Sequence, residues 1–170
     1  MNNLSFTSFD LIDGIIVFII SEIKFCLDIK YVSKILVPEV EYSVITINKI
    51  DNVKLMSNNE MIPLINFHTL YGLTIPQENS NNRLLLLDYE NHRIAFLVDR
   101  VKEIITINKG IQDSLKFGPI TDKPYLTCRV IYEGETILYP NLGKIILDQK
   151  SYKMNSSEHF SKLNNEENLF

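Results

Sequence analysis

The side chains best equipped for chemistry in this chain are three histidines, two cysteines and a scatter of carboxylates. Cys26 and Cys128 form no C-x-x-C pair, and no histidine stands at the spacing a metal site requires. His68 and His92 are far apart in sequence with no evident partner, and His159 falls in a polar terminal stretch. There is no G-x-S-x-G, no glycine-rich phosphate loop and no H-E-x-x-H. The 6 glycines are too few for much close backbone approach to a nucleotide. The plainer readings follow: buried free thiols, surface or hydrogen-bonded imidazoles, and in Asp99 a structural carboxylate that accepts hydrogen bonds from a nearby turn. The expectation is a protein that is not an enzyme and holds no metal or cofactor.

The elements that position these residues are mostly strands. In Ile23-Lys24-Phe25-Cys26-Leu27-Asp28-Ile29 the apolar side chains alternate with Lys24, Cys26 and Asp28, the period of a strand with one face in a core. Leu84 to Leu87 and Ile94 to Val98 are apolar on both faces, as where two layers press together. The Glu90-Asn91-His92-Arg93 turn joins them, and Glu133-Gly134-Glu135 joins Leu126–Tyr132 to Thr136–Tyr139. Many short strands at close spacing read as a small barrel or a pair of barrels. Helix signals are few: Lys30 to Leu36, and Phe67 to Tyr71 with Asn66 as N-cap and Gly72 as stop. Residues 74–82, with Pro76, read as a loop between halves.

At 170 residues the chain holds one ordinary domain, or two very small ones sharing a core. A charged fraction of 22% and a net charge of -4, with no long Lys/Arg cluster, argue against nucleic acid as a partner. The run Ile15 to Ile20 falls far short of the ~20 residues that cross a bilayer. Asp10 and Asp13 precede it, the wrong charge for a secretory signal. Free thiols fit a reducing compartment, so the expected location is the cytoplasm, without direct membrane insertion.

One grammar occurs twice. Ile15–Ile20, a turn at Ser21-Glu22, Ile23–Ile29 and then Val32-Ser33-Lys34-Ile35 is matched by Leu84–Leu87, a turn, Ile94–Val98 and then Val101-Lys102-Glu103-Ile104. Two hairpin units each closing on V-x-x-I point to two related halves. Leu97-Val98-Asp99-Arg100-Val101-Lys102-Glu103-Ile104 is similar to the run L-V-D-x-V-x-E-V of the CheW-like domain family. Ile62-Pro63-Leu64-Ile65-Asn66-Phe67 resembles that family's I-I-P-V-I-D-L, with Asn66 for aspartate. Tyr125-Leu126-Thr127 resembles its Y-I/L-T/S, with Cys128 for the following glycine, and Ile137 to Leu142 its final strand, with Asn141 for aspartate. One motif departs: where the family reads G-V-x-N-L-R-G, this chain has Val53-Lys54-Leu55-Met56-Ser57-Asn58-Asn59. Asn58-Asn59 can still make the turn, but an amide at Asn58 cannot replace the arginine's charged fork. The resemblance is to a divergent member.

The resemblance implies a mainly β fold of two small five-stranded SH3-like β-barrels packed side by side, with a few short helices. It implies a first barrel over roughly 14–75 and a second over 83–148, flanked by an extension at 1–13 and a polar tail at 149–170. It also implies an adaptor, monomeric when free, that couples the cytoplasmic tip of chemoreceptors to the regulatory domain of a histidine kinase. Such a protein reaches the membrane only through receptor arrays. By position, Val32, Lys34 and Ile35 fall at the kinase interface. Phe117 falls in a loop of the ring interface, and Val53, Met56 and Asn58 face the receptor groove. Each has a plainer alternative: Val32 and Ile35 closing the first barrel, Lys34 a solvated charge, Phe117 a core residue. Two other functions stay open, a β-barrel sensor enclosing a small apolar ligand and a specialised or competing adaptor that has lost one coupling.

Overall fold

Two-residue turns set the architecture. Ser21-Glu22 (φ 48° and 63°), Glu90-Asn91 (44° and 65°) and Glu133-Gly134 (50° and 78°) all take positive φ at both positions. Their twist matches that of paired strands, so each closes a tight hairpin. The computed structural model describes residues 13–47, 49–74 and 81–149. The expected extension (apart from Asp13), the expected tail (apart from Gln149) and most of the 74–82 loop lie outside the described residues. The strands are β1 Gly14–Ile20, β2 Ile23–Asp28, β3 Val32–Leu36, β4 Tyr42–Ile47, β5 Ile50–Leu55 and β6 Met61–Ile65. They continue with β7 Arg83–Tyr89, β8 His92–Val98, β9 Arg100–Thr106, β10 Lys116–Pro119, β11 Leu126–Tyr132 and β12 Glu135–Pro140. Helices α1 Phe67–Tyr71 and α2 Lys109–Ser114 accompany them.

The strands form two 6-stranded sheets, ordered β10-β11-β12-β2-β1-β9 and β3-β7-β8-β6-β5-β4. Shifting every label by six turns one order into the other, so the two related halves are real. They do not, however, make one sheet each. The β1–β2 hairpin joins β9–β12, and the β7–β8 hairpin joins β3–β6, each across a short parallel junction. The halves have exchanged hairpins, so neither sheet corresponds to 14–75 or 83–148. Each sheet has six strands, where five were expected, and among the described residues neither closes on itself.

The exchange explains the V-x-x-I steps. Residues three apart on a regular strand face opposite ways, which is why Lys30 to Leu36 read as helical. Only a 3-10 turn at Ile29–Tyr31 forms, capped by the buried Asp28, whose carboxylate accepts from the Lys30 amide at 3.0 Å. After it β3 pairs with β7, Val32 opposite Leu87 and Ile35 opposite Leu85, with a bulge at Ser33 that returns both side chains to one face. β9 repeats this on β1: Val101 sits opposite Phe18 and Ile104 opposite Ile16, with Lys102 as the extra residue. Both bulged strands are sheet edges.

The first sheet buries Ile15, Val17, Cys26, Ile105, Cys128, Val130 and Ile137 on one face, and α2 covers that core with Ile111 and Leu115. The second buries Leu36, Tyr42, Val53, Ile62, Leu84, Leu86 and Ala95. β2 was expected to bury only its Ile23-Phe25-Leu27 face, yet both are covered: Phe25 meets an aromatic cluster, and Cys26 on the opposite face packs into the first core. Phe67 at the start of α1 lies 4.1 Å from Phe96 of β8, 6.2 Å from Phe18 and 5.9 Å from Phe25 between ring centroids. Asn66 caps α1 by accepting from the Thr69 amide at 3.2 Å, and Gly72 ends it at φ 64°. A further helix at 142–149 was not foreseen. Its signal is Asn141, whose side chain accepts from the Lys144 amide at 3.0 Å.

Both thiols are free and buried. Burial pushes Cys128 up to about 11, and burial, then the neighbouring Cys128, pushes Cys26 higher still. β12 runs between their strands with Tyr139 opposite Cys128. Two strand spacings, ~9.6 Å, exceed the ~7 Å a disulfide spans. A thiol reagent at pH 7.5 is expected to label neither cysteine of the native protein and both after denaturation. Rapid native labelling of either would contradict this packing.

Candidate protein-interaction surface

The edge strand β3 forms one wall of an open groove of about 580 Å³, which Lys34, Ile35 and Leu36 line. The opposite walls are Val40 and Glu41 of the β3–β4 connection and Leu55, Met56 and Ser57 of the β5–β6 turn. These walls are held by their own backbone. Glu41 accepts from the Val37 amide at 2.7 Å, and its carbonyl accepts from the Met56 amide at 2.9 Å. Apolar side chains stay uncovered here: Ile35 is 39% exposed, Met56 53% and Val40 74%. Three such residues around one groove, beside an edge strand, make an exposed apolar patch of the kind that marks candidate interaction surfaces. In the first sheet α2 covers the corresponding strand-to-strand connection. In the second that connection is only the short segment after Leu36, so its core edge is left open.

The sequence-derived residues distribute unevenly. Lys34, Ile35 and Met56 converge on this groove, although they were expected at two different interfaces. Val32 is half-buried against β7. Val53 is a correction: it lies on β5 between Val44 and Ile62, is fully buried in the second core and cannot face a partner. Asn58 is exposed and shapes the turn, accepting from the Glu60 amide at 3.0 Å, with Asn59 at φ 58°. Phe117 is also corrected. It is on edge strand β10 opposite Val130, not in a loop, and packs half-buried against the first core. Among the described residues of that sheet, Ile104 on β9 is a large apolar side chain left 52% exposed. Its counterpart in the other half is Ile35, so the V-x-x-I repeat already carried the signal for it. Val40 had none, because a valine after Pro38-Glu39 reads as an ordinary turn residue.

A second open hollow of about 350 Å³ lies where α1 faces the first sheet, lined by Phe25, Leu70, Tyr71, Leu73, Tyr125 and Leu138 among others. The Tyr71 hydroxyl donates to the Tyr125 carbonyl at 2.7 Å, and burial holds the phenol well above its usual range. Both hollows are open at the surface and largely apolar.

His68 is a hydrogen-bonded imidazole, one of the plainer readings expected of it, and its partner is one that sequence spacing did not reveal. Its Nε2 lies 3.1 Å from Asp99 Oδ1, and Asp99 Oδ2 accepts from the Ser21 amide at 2.7 Å. Ser21 also donates its hydroxyl to the Thr74 carbonyl. This polar knot ties the β1–β2 turn, α1 and the entry to β9. His68 is buried, and the pair holds these three segments together. Among the described residues no group of three or more His, Cys, Asp or Glu side chains could hold a metal, and no helix is long and apolar enough to cross a membrane.

The family model of the CheW-like domain matches residues 14–150. No curated protein matches the chain. Among solved structures the chain is similar to the scaffolding protein TtCheW from Thermoanaerobacter tengcongensis. The TM-score is 0.63 at 21% identity, covering 76% of this chain and 89% of that one.

Proposed function

We propose that this chain, which belongs to the CheW-like domain family, is a chemotaxis adaptor that performs no catalysis and couples chemoreceptors to the regulatory domain of a histidine kinase. The groove at β3 carries the reading, because it gathers Ile35, Met56 and Val40 on a rigid sheet edge where a protein partner can lie. We assign the kinase contact to Lys34, Ile35 and Met56 together. The receptor contact then needs another surface, since Val53 is buried and Met56 is part of the kinase groove. The apolar hollow beside α1 supports docking of a receptor helix there. In ring contacts between neighbouring adaptor and kinase modules, Ile104 takes the part expected of Phe117. The seam between the sheets is filled by phenylalanine rings and both hollows are open, which favours an adaptor over a sensor enclosing a small ligand.

Calorimetric titration with the kinase regulatory domain tests this. Micromolar binding is expected, weakened at least about tenfold by Ile35→Ser and by Met56→Asp, a loss of ~1.4 kcal/mol or more. Both positions are exposed, so both variants should stay folded. Leu70→Ser should leave that titration unchanged and weaken capture of a receptor-tip fragment. Absence of heat at high concentration would remove kinase coupling and leave a receptor-only or competing adaptor.

A further inference from the structure

Five side chains cross the outer face of the second sheet next to the groove. The Arg93 guanidinium donates through Nε and Nη2 to the two oxygens of Asp88 at 2.7 and 3.2 Å, and through Nη1 to both oxygens of Glu60 at 3.2 and 3.3 Å. Glu60 in turn accepts from the Asn58 side-chain amide at 3.2 Å, while the Glu60 backbone amide donates to Asn58 Oδ1 at 3.0 Å. On the far side, Asp88 is held below its usual range by Arg93 first and also by the Ser33 hydroxyl of β3. One cation thus links the β5–β6 turn, which carries Met56 and Ser57, to β7, the strand on which β3 with Lys34 and Ile35 is paired.

We infer that Arg93 is a positioning residue for the groove, clasping the β5–β6 turn so that Met56 and Ser57 stay opposite β3. The inference rests on the groove being a docking surface. The parallel pairing of β6 with β8 is confined to Leu64–Ala95 and Ile65–Phe96, so at the turn end no ladder joins the two strands and the ion pair spans them instead. A lone exposed ion pair counts for little. A guanidinium bidentate to one carboxylate and shared with a second is the arrangement in which such contacts strengthen. The other half repeats the device with lysines: Glu135, at the start of β12, pairs with Lys24 of β2 and Lys102 of β9. There the turn is the tight Glu133-Gly134, with no groove wall to hold.

Amide hydrogen exchange reads the clasp without any partner. The Asn59 amide donates to the Leu55 carbonyl and the Met56 amide to the Glu41 carbonyl, both at 2.9 Å. Arg93→Ala is expected to speed exchange at these two amides about threefold to tenfold while the β1 and β2 amides keep their protection. Arg93→Lys, with its single point charge, should restore only part. Affinity for the kinase regulatory domain should fall by a similar factor in Arg93→Ala. Unchanged exchange at Met56 and Asn59, or faster exchange with unchanged affinity while Met56→Asp still weakens binding, would overturn the inference. If Met56→Asp leaves binding intact, it is the docking reading that fails, and the exchange data then judge the clasp alone.

Discussion

Phe67→Ala is expected to cost about 3–5 kcal/mol of stability and to lower the melting temperature by roughly 10 °C. Phe67 is fully buried. It is the first residue of α1, yet its ring touches Phe18 and Phe25 of one sheet and Phe96 of the other, with Tyr71 edge-on at 5.3 Å. Among the described residues no backbone ladder joins the two sheets, so this aromatic cluster carries much of their adhesion. The cavity left by removing the ring cannot collapse, because its walls are rigid strands rather than mobile loops. Phe67→Leu keeps most of the volume and is expected to cost less than about half as much. Urea unfolding of both variants, with unchanged slope, gives the comparison. A loss under about 1 kcal/mol for Phe67→Ala would mean that the seam is held elsewhere.

Asp99→Ala is the second large effect, about 2–3 kcal/mol. The carboxylate accepts from the Ser21 amide at 2.7 Å and faces His68 Nε2 at 3.1 Å. The imidazole is buried, so deleting the acceptor leaves a polar ring nitrogen with neither protein nor water to bond. The β1–β2 turn also loses its anchor, because Ser21 and Glu22 hold positive φ without being glycine. Asp99→Asn retains one acceptor and should fall between wild type and alanine. A double-mutant cycle with His68→Ala is the decisive measurement: a coupling above ~0.5 kcal/mol assigns the cost to the pair, and simple additivity would refute that assignment.

The local signals were strong where they depend on one element at a time. The α1 cap and stop at Asn66 and Gly72 are readable because capping is a contact between near neighbours in sequence. The hairpin turns are readable for the same reason. The buried Val53 was misread because a motif position shows only where a residue falls along the chain. Which face of β5 it occupies depends on register with β4 and β6. Phe117 was misread likewise, since the strand pairing that draws it toward the first core comes from β11, downstream of it.

By itself the sequence determined a β-rich chain of two related halves, two unpaired thiols, a structural role for Asp99 and the family to which these patterns belong. These follow from residue types and short-range periodicity, which need no knowledge of the partner strand. Only the tertiary structure decided that the halves exchange hairpins, that Lys34, Ile35 and Met56 share one groove, that His68 meets Asp99, and that Arg93 reaches Glu60. Each of these contacts joins residues brought together by strand pairing across long stretches of chain. That pairing is set by the burial of whole faces, so it is a property of the assembled sheets and of no single segment.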